Sequence, residues 1–179
     1  GVCEEWARGG GSGGAGEDRG GCGVRGRPKV RRGAGGASVV GDHGRTGPRG
    51  ARGGHDGGVN RVVVDRGGEL YHPPHLSKDQ DVQLSAGDTV TVHTPGGGGF
   101  GDPLARDPAL VERDVRRGYY SLDQVRERFG VVLDPETLVN DDAATLAERS
   151  RPREDAADQS SLVQHRTLYD KDHKTQRHR

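Results

Sequence analysis

The chain reads Thr94-Pro95-Gly96-Gly97-Gly98-Gly99-Phe100-Gly101-Asp102-Pro103 at the point where its strand-like and helix-like parts meet. Before this stretch, residues 81–84 and 88–93 alternate polar and apolar side chains around a turn at 85–87, which predicts a β-hairpin. After it, Asp107 and Pro108 form a helix cap and a first helical position, and Gly118 ends that helix. The glycine run therefore joins a β segment to a helical segment.

Two more helices are predicted after Gly118. Ser121 and Gln124 have the spacing of a capping box, and Gly130 ends the second helix. Asn140 is the predicted cap of a third, short helix. The apolar faces of the first two helices are expected to close over the hairpin, whose inward residues are Val90 and Val92 or the residues that alternate with them. These faces carry Leu110, Val111, Val115, Leu122, Val125 and Phe129. The predicted fold class is α+β, a small antiparallel β segment followed by two or three short helices.

Composition divides the chain into three segments. Only 29% of the 179 residues are hydrophobic, and 22 of the 32 glycines lie in residues 1–60. Because residues 1–58 lack hydrophobic periodicity, we expect this Gly/Arg-rich segment to be disordered, or to be translated out of frame. Strand candidates at 62–64 and 69–71 open the segment expected to fold, residues 59–149, and the polar residues 150–179 are expected to form a disordered tail.

Charge and hydropathy restrict the location and the partners. The formal net charge is +0, so the chain as a whole is not drawn to nucleic acid or to anionic membranes. No apolar run is long enough to cross a bilayer and no secretory signal is recognisable, so a cytoplasmic location is expected. Cys3 and Cys22 both lie in the glycine-rich segment and are expected to be free thiols.

The glycine run matches a nucleotide-binding motif in its residue pattern but not in the structure predicted around it. Gly96, Gly98 and Gly101 satisfy G-x-G-x-x-G, but Asp102-Pro103 follows the last glycine, so no helix opens over a phosphate there. A tight structural loop, or a close approach of the backbone to another subunit, is favoured. The run is nevertheless kept as the candidate border of a site, comprising Gly96, Gly97, Gly98, Gly99, Phe100, Gly101 and Asp102.

A second functional hypothesis concerns a basic element near the N-terminus. The sequence Arg25-Gly26-Arg27-Pro28-Lys29 resembles the AT-hook, whose extended Arg-Gly-Arg core enters a narrow A·T minor groove. This alternative makes the chain a non-catalytic protein with an arm that binds nucleic acid weakly. Because arginine and glycine dominate the segment, the match is also expected by chance, and nucleic acid is not the favoured partner.

The remaining charged residues do not form a recognisable catalytic or metal-binding pattern. His72-Pro73-Pro74-His75 has two imidazoles, but no further ligand follows at the usual spacing, so no metal site is predicted. The acidic residues of the helices, among them Glu112, Asp114 and Asp123, alternate with arginines and are interpreted as solvated faces. No catalytic residue is assigned.

From about residue 54 to residue 148 the sequence closely resembles the C-terminal end of the hydantoinase B/oxoprolinase family. The resemblance rests on Gly87-Asp88-Thr89-Val90, the run 94–104, Arg106-Asp107-Pro108, and Gly130-Val131-Val132-Leu133 after Phe129. Residues 1–53 show no such resemblance. Since the chain also has no methionine and begins at Gly1, we expect a fragment of the family protein.

The resemblance implies an ATP-dependent, ring-opening amide hydrolase of the 5-oxoprolinase or N-methylhydantoinase type, with ketone carboxylases as relatives. In such enzymes the lactam carbonyl is thought to be activated by phosphorylation from ATP. The resemblance further implies a hydantoinase A-type partner subunit or domain, a small cyclic amide as substrate, and ATP with a divalent metal for the complete enzyme. No cofactor is expected in this chain, and the chain alone is expected to be inactive.

Overall fold

The computed structural model describes residues 1–151, and these residues form seven strands, one short 3-10 helix and three α-helices. The strands are β1 (Val2–Arg8), β2 (Val24–Lys29), β3 (Ala34–Val40), β4 (Arg61–Arg66), β5 (Glu69–Tyr71), β6 (Lys78–Ser85) and β7 (Thr89–His93). The 3-10 helix spans Pro103–Ala105, and the α-helices are α1 (Pro108–Arg116), α2 (Leu122–Phe129) and α3 (Asp142–Arg149). The predicted α+β class, with antiparallel strands followed by short helices, is confirmed.

The strands form two antiparallel sheets that share one core. The larger sheet has the order β1-β2-β7-β4-β5, and β3 pairs with β6 in the smaller one. Val62 and Val64 of β4 and Val90 of β7 are buried together with Val82 and Leu84 of β6. Alternation along each strand places these side chains on one face, so the opposite face of the larger sheet carries the intervening residues.

The predicted hairpin is wrong in its pairing, although both of its strands exist. β6 pairs with β3, whereas β7 pairs with β2 and β4. The turn between them is tight: the amide of Asp88 donates to the carbonyl of Ser85 at 3.1 Å, and Gly87 has a φ of +101°. Both strands bury their apolar faces in the same cluster, so the turn carries the chain from one sheet to the other instead of into a hairpin.

The prediction of a disordered N-terminal segment is also wrong. β1, β2 and β3 all lie within residues 1–58, and β2 pairs with β1 on one side and with β7 on the other. Backbone hydrogen bonds to neighbouring strands order this segment without a periodic apolar face. Residues Gly1–Arg149 accordingly form one compact unit.

The signals for the first two α-helices are confirmed. The Asp107 carboxylate accepts from the amide of Ala109 at 2.9 Å, and Ser121 and Gln124 form a complete capping box. Gly130 ends α2 in the left-handed conformation, with a φ of +61°. In the third helix the capping contact comes from Asp141, whose side chain accepts from the amide of Ala144 at 2.9 Å, and not from the predicted Asn140.

The helices cover a different surface from the one predicted. Val111, Val125 and Phe129 are fully buried, but they pack with Ala15 and not with the valines of β7. Tyr120, Val131 and Leu133 complete this second cluster. Five of the six predicted residues therefore belong to this cluster or pack against it, Leu110 is not among them, and the surface that the helices cover is the glycine-rich segment.

Two further predictions concern the C-terminal tail and membrane-spanning segments. The predicted polar tail at 150–179 lies, apart from residues 150 and 151, outside the described residues. Within residues 1–151, none of the helices combines the length and the apolar character that crossing a bilayer requires.

Candidate functional site: the glycine layer

The glycine run after β7 passes between two other glycine-rich segments. We call residues 11–23, 47–58 and 96–101 together the glycine layer. The amide of Gly14 donates to the carbonyl of Gly97, and the amide of Gly97 donates to the carbonyl of Gly21, at 2.8 and 2.9 Å. On the other side, the amide of Gly99 donates to His55 at 2.9 Å, and the amide of His55 donates to Ala15 at 2.7 Å. Backbone hydrogen bonds thus connect the three segments directly.

The segments approach so closely that only glycine fits between them. A Cβ atom on Gly20 would lie 1.9 Å from the carbonyl oxygen of Gly97, and one on Gly96 would lie 1.9 Å from that of Ser12. Twelve glycines of the layer would place a Cβ atom within 3.0 Å of neighbouring backbone: Gly13, Gly14, Gly16, Gly20, Gly23, Gly47, Gly50, Gly54, Gly57, Gly96, Gly98 and Gly99. The layer is therefore packed through its backbone.

The sequence carried a signal for this layer. Among the twelve glycines at which a Cβ atom does not fit, five pairs are three residues apart: 13 and 16, 20 and 23, 47 and 50, 54 and 57, 96 and 99. Three residues per turn is the period of polyproline II helices, which have no internal hydrogen bonds and leave their N–H and C=O groups to neighbours. A search for periods of 2 and 3.6 in apolar residues does not detect this pattern.

The amides of the glycine run are used inside the protein. Those of Gly97, Gly99, Phe100 and Gly101 donate to backbone carbonyls of the other two segments at 2.8–3.0 Å. A phosphate cradle needs such amides to point at the ligand. These four donors are therefore not available to a nucleotide.

One end of the run reaches the surface. Phe100 is 47% exposed, and the guanidinium carbon of Arg52 lies 6.0 Å from the centre of its ring. Arg52 is in the left-handed region with a φ of +50°, in a turn closed by a hydrogen bond from the amide of Gly54 to the carbonyl of Ala51 at 2.9 Å. Asp102 is exposed as well, and its carboxylate accepts from the amide of Leu104. A role for Phe100 and Asp102 at the border of a site stays a prediction.

A buried ionic group attaches the layer to the helices. Asp114 is 1% exposed, and its Oδ2 accepts from Arg19 Nε and from an Nη of Arg106, both at 2.8 Å. Arg106, itself 4% exposed, also donates to the carbonyl of Glu17 at 2.7 Å. Partial burial disfavours the charge on Arg19, but the hydrogen bond and the charge of Asp114 outweigh it and raise the pKa of Arg19.

Further contacts from α2 and the residues before it support the same segment. The hydroxyl of Tyr120 donates to the carbonyl of Gly13 at 3.0 Å, and Arg128 donates to that of Gly11 at 2.9 Å. Burial raises the pKa of Tyr120. The Arg19 guanidinium stacks on the ring of Tyr119 at 4.4 Å. The helices therefore hold the layer by polar contacts as well as by the apolar cluster around Ala15.

The interpretation of Asp114 as part of a solvated helix face is wrong. Asp114 follows Val111 by three positions and precedes Val115, so it lies on the apolar face of α1. Its position three residues after a buried valine was the available signal. Arg19 and Arg106, which compensate its charge, were not recognised from the sequence because their partner lies far away along the chain or on the next helix.

The AT-hook-like residues do not form an extended arm. Arg25, Gly26, Arg27, Pro28 and Lys29 belong to β2, which is paired on both edges. Glu4 lies 3.2 Å from Lys29 and 4.0 Å from Arg27, while Gly26 is covered by the ring of Trp6. Insertion into a minor groove would require β2 to leave both neighbours, so the structure gives no support to the nucleic-acid hypothesis.

The other candidate ligands do not assemble into a centre. Within residues 1–151, no group of three His, Cys, Asp or Glu side chains is placed to hold a metal ion. His72 and His75 are exposed around the buried Pro73, and Cys3 and Cys22 are free thiols. The described residues thus hold a structural core and no recognisable catalytic constellation.

The sequence of this chain is similar to those of known proteins. The sequence model of the hydantoinase B/oxoprolinase family matches residues 2–103, more than half of the chain. Subunit beta of caprolactamase from Pseudomonas jessenii is 39% identical over 147 residues, which cover 78% of this chain and 24% of that protein. An uncharacterised protein of Methanocaldococcus jannaschii is 37% identical over 105 residues, covering 59% of this chain and 18% of that protein.

Solved structures show the same fold. The ATP-dependent caprolactamase from Pseudomonas jessenii matches with a TM-score of 0.64 at 30% identity, over 83% of this chain and 26% of that chain. A nucleotide-free acetone carboxylase matches with a TM-score of 0.66 at 21% identity, over 93% of this chain and 25% of that chain. At this identity the match indicates a shared fold and nothing more.

These matches correct the extent of the resemblance. The family match starts at residue 2, so the segment 1–53 belongs to it and is neither unrelated nor out of frame. The chain spans about a quarter or less of the length of these relatives. On the match over residues 2–103, this chain belongs to the hydantoinase B/oxoprolinase family.

Proposed function

We propose that this chain supplies a structural, non-catalytic part of the B-type component of an ATP-dependent amide hydrolase of the 5-oxoprolinase or N-methylhydantoinase type. The observation that carries the proposal is the glycine layer, a backbone-packed element lying within the family match. A layer whose amides are bonded internally can fix the relative position of its surroundings, but it cannot stabilise a phosphoryl transition state.

The described residues do not fit ATP or a divalent metal. Four amides of the glycine run donate to protein carbonyls, and residues 1–151 do not bring three potential metal ligands together. We therefore place nucleotide and metal on other parts of the complete enzyme, in first place a hydantoinase A-type subunit or domain. This proposal includes a cytoplasmic location and a small cyclic amide as substrate.

The name of one relative suggests the substrate to test. Caprolactam is the cyclic amide named by the Pseudomonas jessenii relative, and 5-oxoproline is the corresponding choice for the oxoprolinase branch of the family. We expect the purified chain to hydrolyse neither compound in the presence of ATP and Mg²⁺, because residues 1–151 do not bring an acid, a base and a phosphate-binding group together at one site. Turnover by a preparation free of any A-type subunit would overturn the non-catalytic assignment.

A chimera tests the positive half of the proposal. The matching quarter of caprolactamase subunit beta is replaced by this chain, and ATP-dependent caprolactam hydrolysis is measured with the other components of that enzyme present. We expect the chimera to keep activity and its Gly20→Ala variant to lose it, since the added Cβ would lie 1.9 Å from the carbonyl oxygen of Gly97. Gly21→Ala is the matched control, because a Cβ atom at Gly21 meets nothing within 4 Å. Equal activity of the two variants would show that the layer is not required.

A further inference from the structure

The outer face of the five-stranded sheet, opposite the buried valines, carries three basic side chains in one row. Arg25 of β2 and Arg61 of β4 both pair with His93 of β7, one from each side. Directly paired residues of antiparallel strands project from the same face. Since Val62 and Val92 are the next pair and face the core, Arg25, His93 and Arg61 face away from it. We call these three residues the cation row.

The cation row is poorly compensated within the protein. Arg25 forms an ion pair with Glu5 on β1 at 3.5 Å, which is longer than the usual charge-assisted hydrogen bond. Among the ion pairs of residues 1–151, none involves Arg61. Farther along β2, Lys29 and Arg27 lie 3.2 and 4.0 Å from the carboxylate of Glu4.

His93 responds to this surplus of positive charge. Partial burial lowers the pKa of His93, Arg25 and Arg61 lower it further, and Glu5 opposes them. These are the charged groups that face His93 from β2, β4 and β1. Like charges directly opposite one another destabilise a sheet, so an anion placed above His93 would relieve an unfavourable interaction that the fold retains.

We propose that the cation row is a binding site for an oxyanion, a phosphate or carboxylate group held between Arg25 and Arg61 above His93. A guanidinium presents its N–H groups as a planar fork that matches two oxygens of either group, and Arg61 is exposed and forms no ion pair among the described residues. Neighbouring strands are about 4.8 Å apart, so the arginines on β2 and β4 flank β7 from both sides. An imidazole between them can donate an N–H to the anion and can take up a proton when the anion binds.

The site adjoins the glycine layer. His93 is the last residue of β7, and the Oγ1 atom of Thr94 accepts from the amide of Val24 at 2.7 Å just before the chain enters the run 96–101. An oxyanion on the row would therefore lie at the junction of the sheet and the layer. This binding does not require catalytic activity, so it can be tested on the chain alone and independently of the proposed function.

The test measures the pKa of His93 by NMR in the full-length, isotope-labelled chain. The His93 imidazole signal is identified as the one missing in His93→Gln. The titration is run in inorganic phosphate, in acetate and in chloride at equal ionic strength. We expect the pKa of His93 to be about half a unit or more higher in phosphate or acetate than in chloride, because a bound anion favours the imidazolium. A rise in phosphate alone, in acetate alone or in both supports the proposal and identifies the preferred group. The same pKa in all three salts overturns it.

Substitutions connect the effect to the row. Arg61→Gln removes an exposed side chain without an ion pair among the described residues, so the fold should be kept. We expect this variant and Arg25→Gln to lose most of the phosphate- or acetate-induced rise, while the pKa of His93 in chloride increases because one neighbouring cation is gone. Arg117→Gln, at an exposed position after α1, should keep the full rise. An undiminished rise in Arg61→Gln would place the anion elsewhere and overturn the proposal.

Discussion

The glycine layer and the helical cluster are ordered by opposite means. Around Phe129, the side chains of Val111 and Val125 are fully buried, and each helix begins with a capping side chain. In the layer, the three segments contact one another mainly through backbone, and at twelve glycines the approach is too close for a Cβ atom. Ordering each residue costs about 1–2 kcal/mol of backbone entropy in both regions. The helices offset this cost by apolar burial, and the layer offsets it by hydrogen bonds and close packing.

The comparison shows why a low hydrophobic content did not mean disorder. Hydrophobic periodicity measures one route to a packed core, in which side chains fill the space between backbones. When glycine removes the side chains, backbones themselves reach packing distance, and their N–H and C=O groups can bond to a neighbouring segment. The two regions then meet at Ala15, the alanine of the layer that is buried in the helical cluster.

The largest effect is expected inside the layer. Gly20→Ala should destabilise the chain by more than about 3 kcal/mol, the upper end of ordinary overpacking, because rigid backbone opposes the new Cβ atom. Its neighbour Gly21→Ala should cause no loss, or a gain of up to about 1 kcal/mol from a less flexible unfolded chain. Urea unfolding followed by circular dichroism compares the two. Equal midpoints would mean that the layer is looser than described and would remove the contrast between the regions.

The helical cluster should depend on a large apolar side chain. Phe129→Ala should cost about 3–5 kcal/mol through lost burial and a cavity. Phe100→Ala, in the layer but 47% exposed, should cost only about 1 kcal/mol. The measurement is again the unfolding midpoint. If Phe100→Ala proves the more damaging change, apolar burial matters more in the layer than around Phe129.

The junction between the two regions should depend on Asp114. Asp114→Asn keeps the shape of the side chain but leaves Arg19 and Arg106 without their counterion, and breaking such a buried group costs about 3–5 kcal/mol. Lys78→Gln removes an exposed ion pair with Asp42 and should leave the unfolding temperature nearly unchanged. Thermal unfolding of both variants tests this. A mild Asp114→Asn phenotype would indicate that the apolar cluster alone attaches the layer.

The smallest effect concerns pH and the sheet. The pKa of His93 is lower in the folded chain than its unfolded value near 6.5, so the unfolded state binds the proton more readily. Stability should therefore be full above pH 6.5 and should decrease as the pH falls through the folded pKa. His93→Gln should flatten this decrease in urea midpoints measured at pH 7.5 and 5.0. The control variant His72→Gln, at an exposed position, should lose as much stability between pH 7.5 and 5.0 as the wild type. If His93→Gln also loses as much stability as the wild type, other groups cause the acid sensitivity.

Sequence reasoning succeeded where one residue reports on local geometry. Asp107-Pro108, the capping box at Ser121 and the terminating Gly130 each fix one helix end, and all three were predicted correctly. Alternation identified β6 and β7 but not their partners, because it defines a buried face and two different sheets can share one core. Pairing is a property of distant segments, and a local pattern does not encode it.

The candidate site was predicted less completely. The run 96–101 was identified as a structural loop, but its neighbours at 11–23 and 47–58 were assigned to a disordered segment. Their signal was glycine at a period of three. Asp114 was predicted to be solvated because of its charge, although its position places it on the apolar face of α1. Its ion pair with Arg19 depends on tertiary structure, which the local sequence does not reveal.

The twelve glycines of the layer at which a Cβ atom does not fit also limit how this sequence can evolve. In an apolar core a leucine can drift to methionine or isoleucine with modest loss, so neighbouring sequences remain functional. At Gly47, where a Cβ atom would lie 1.7 Å from the carbonyl oxygen of Gly57, every amino-acid replacement adds such an atom and none is conservative. No substitution at these positions is therefore neutral. A lineage that replaces one of these glycines must return to glycine or change all three segments together.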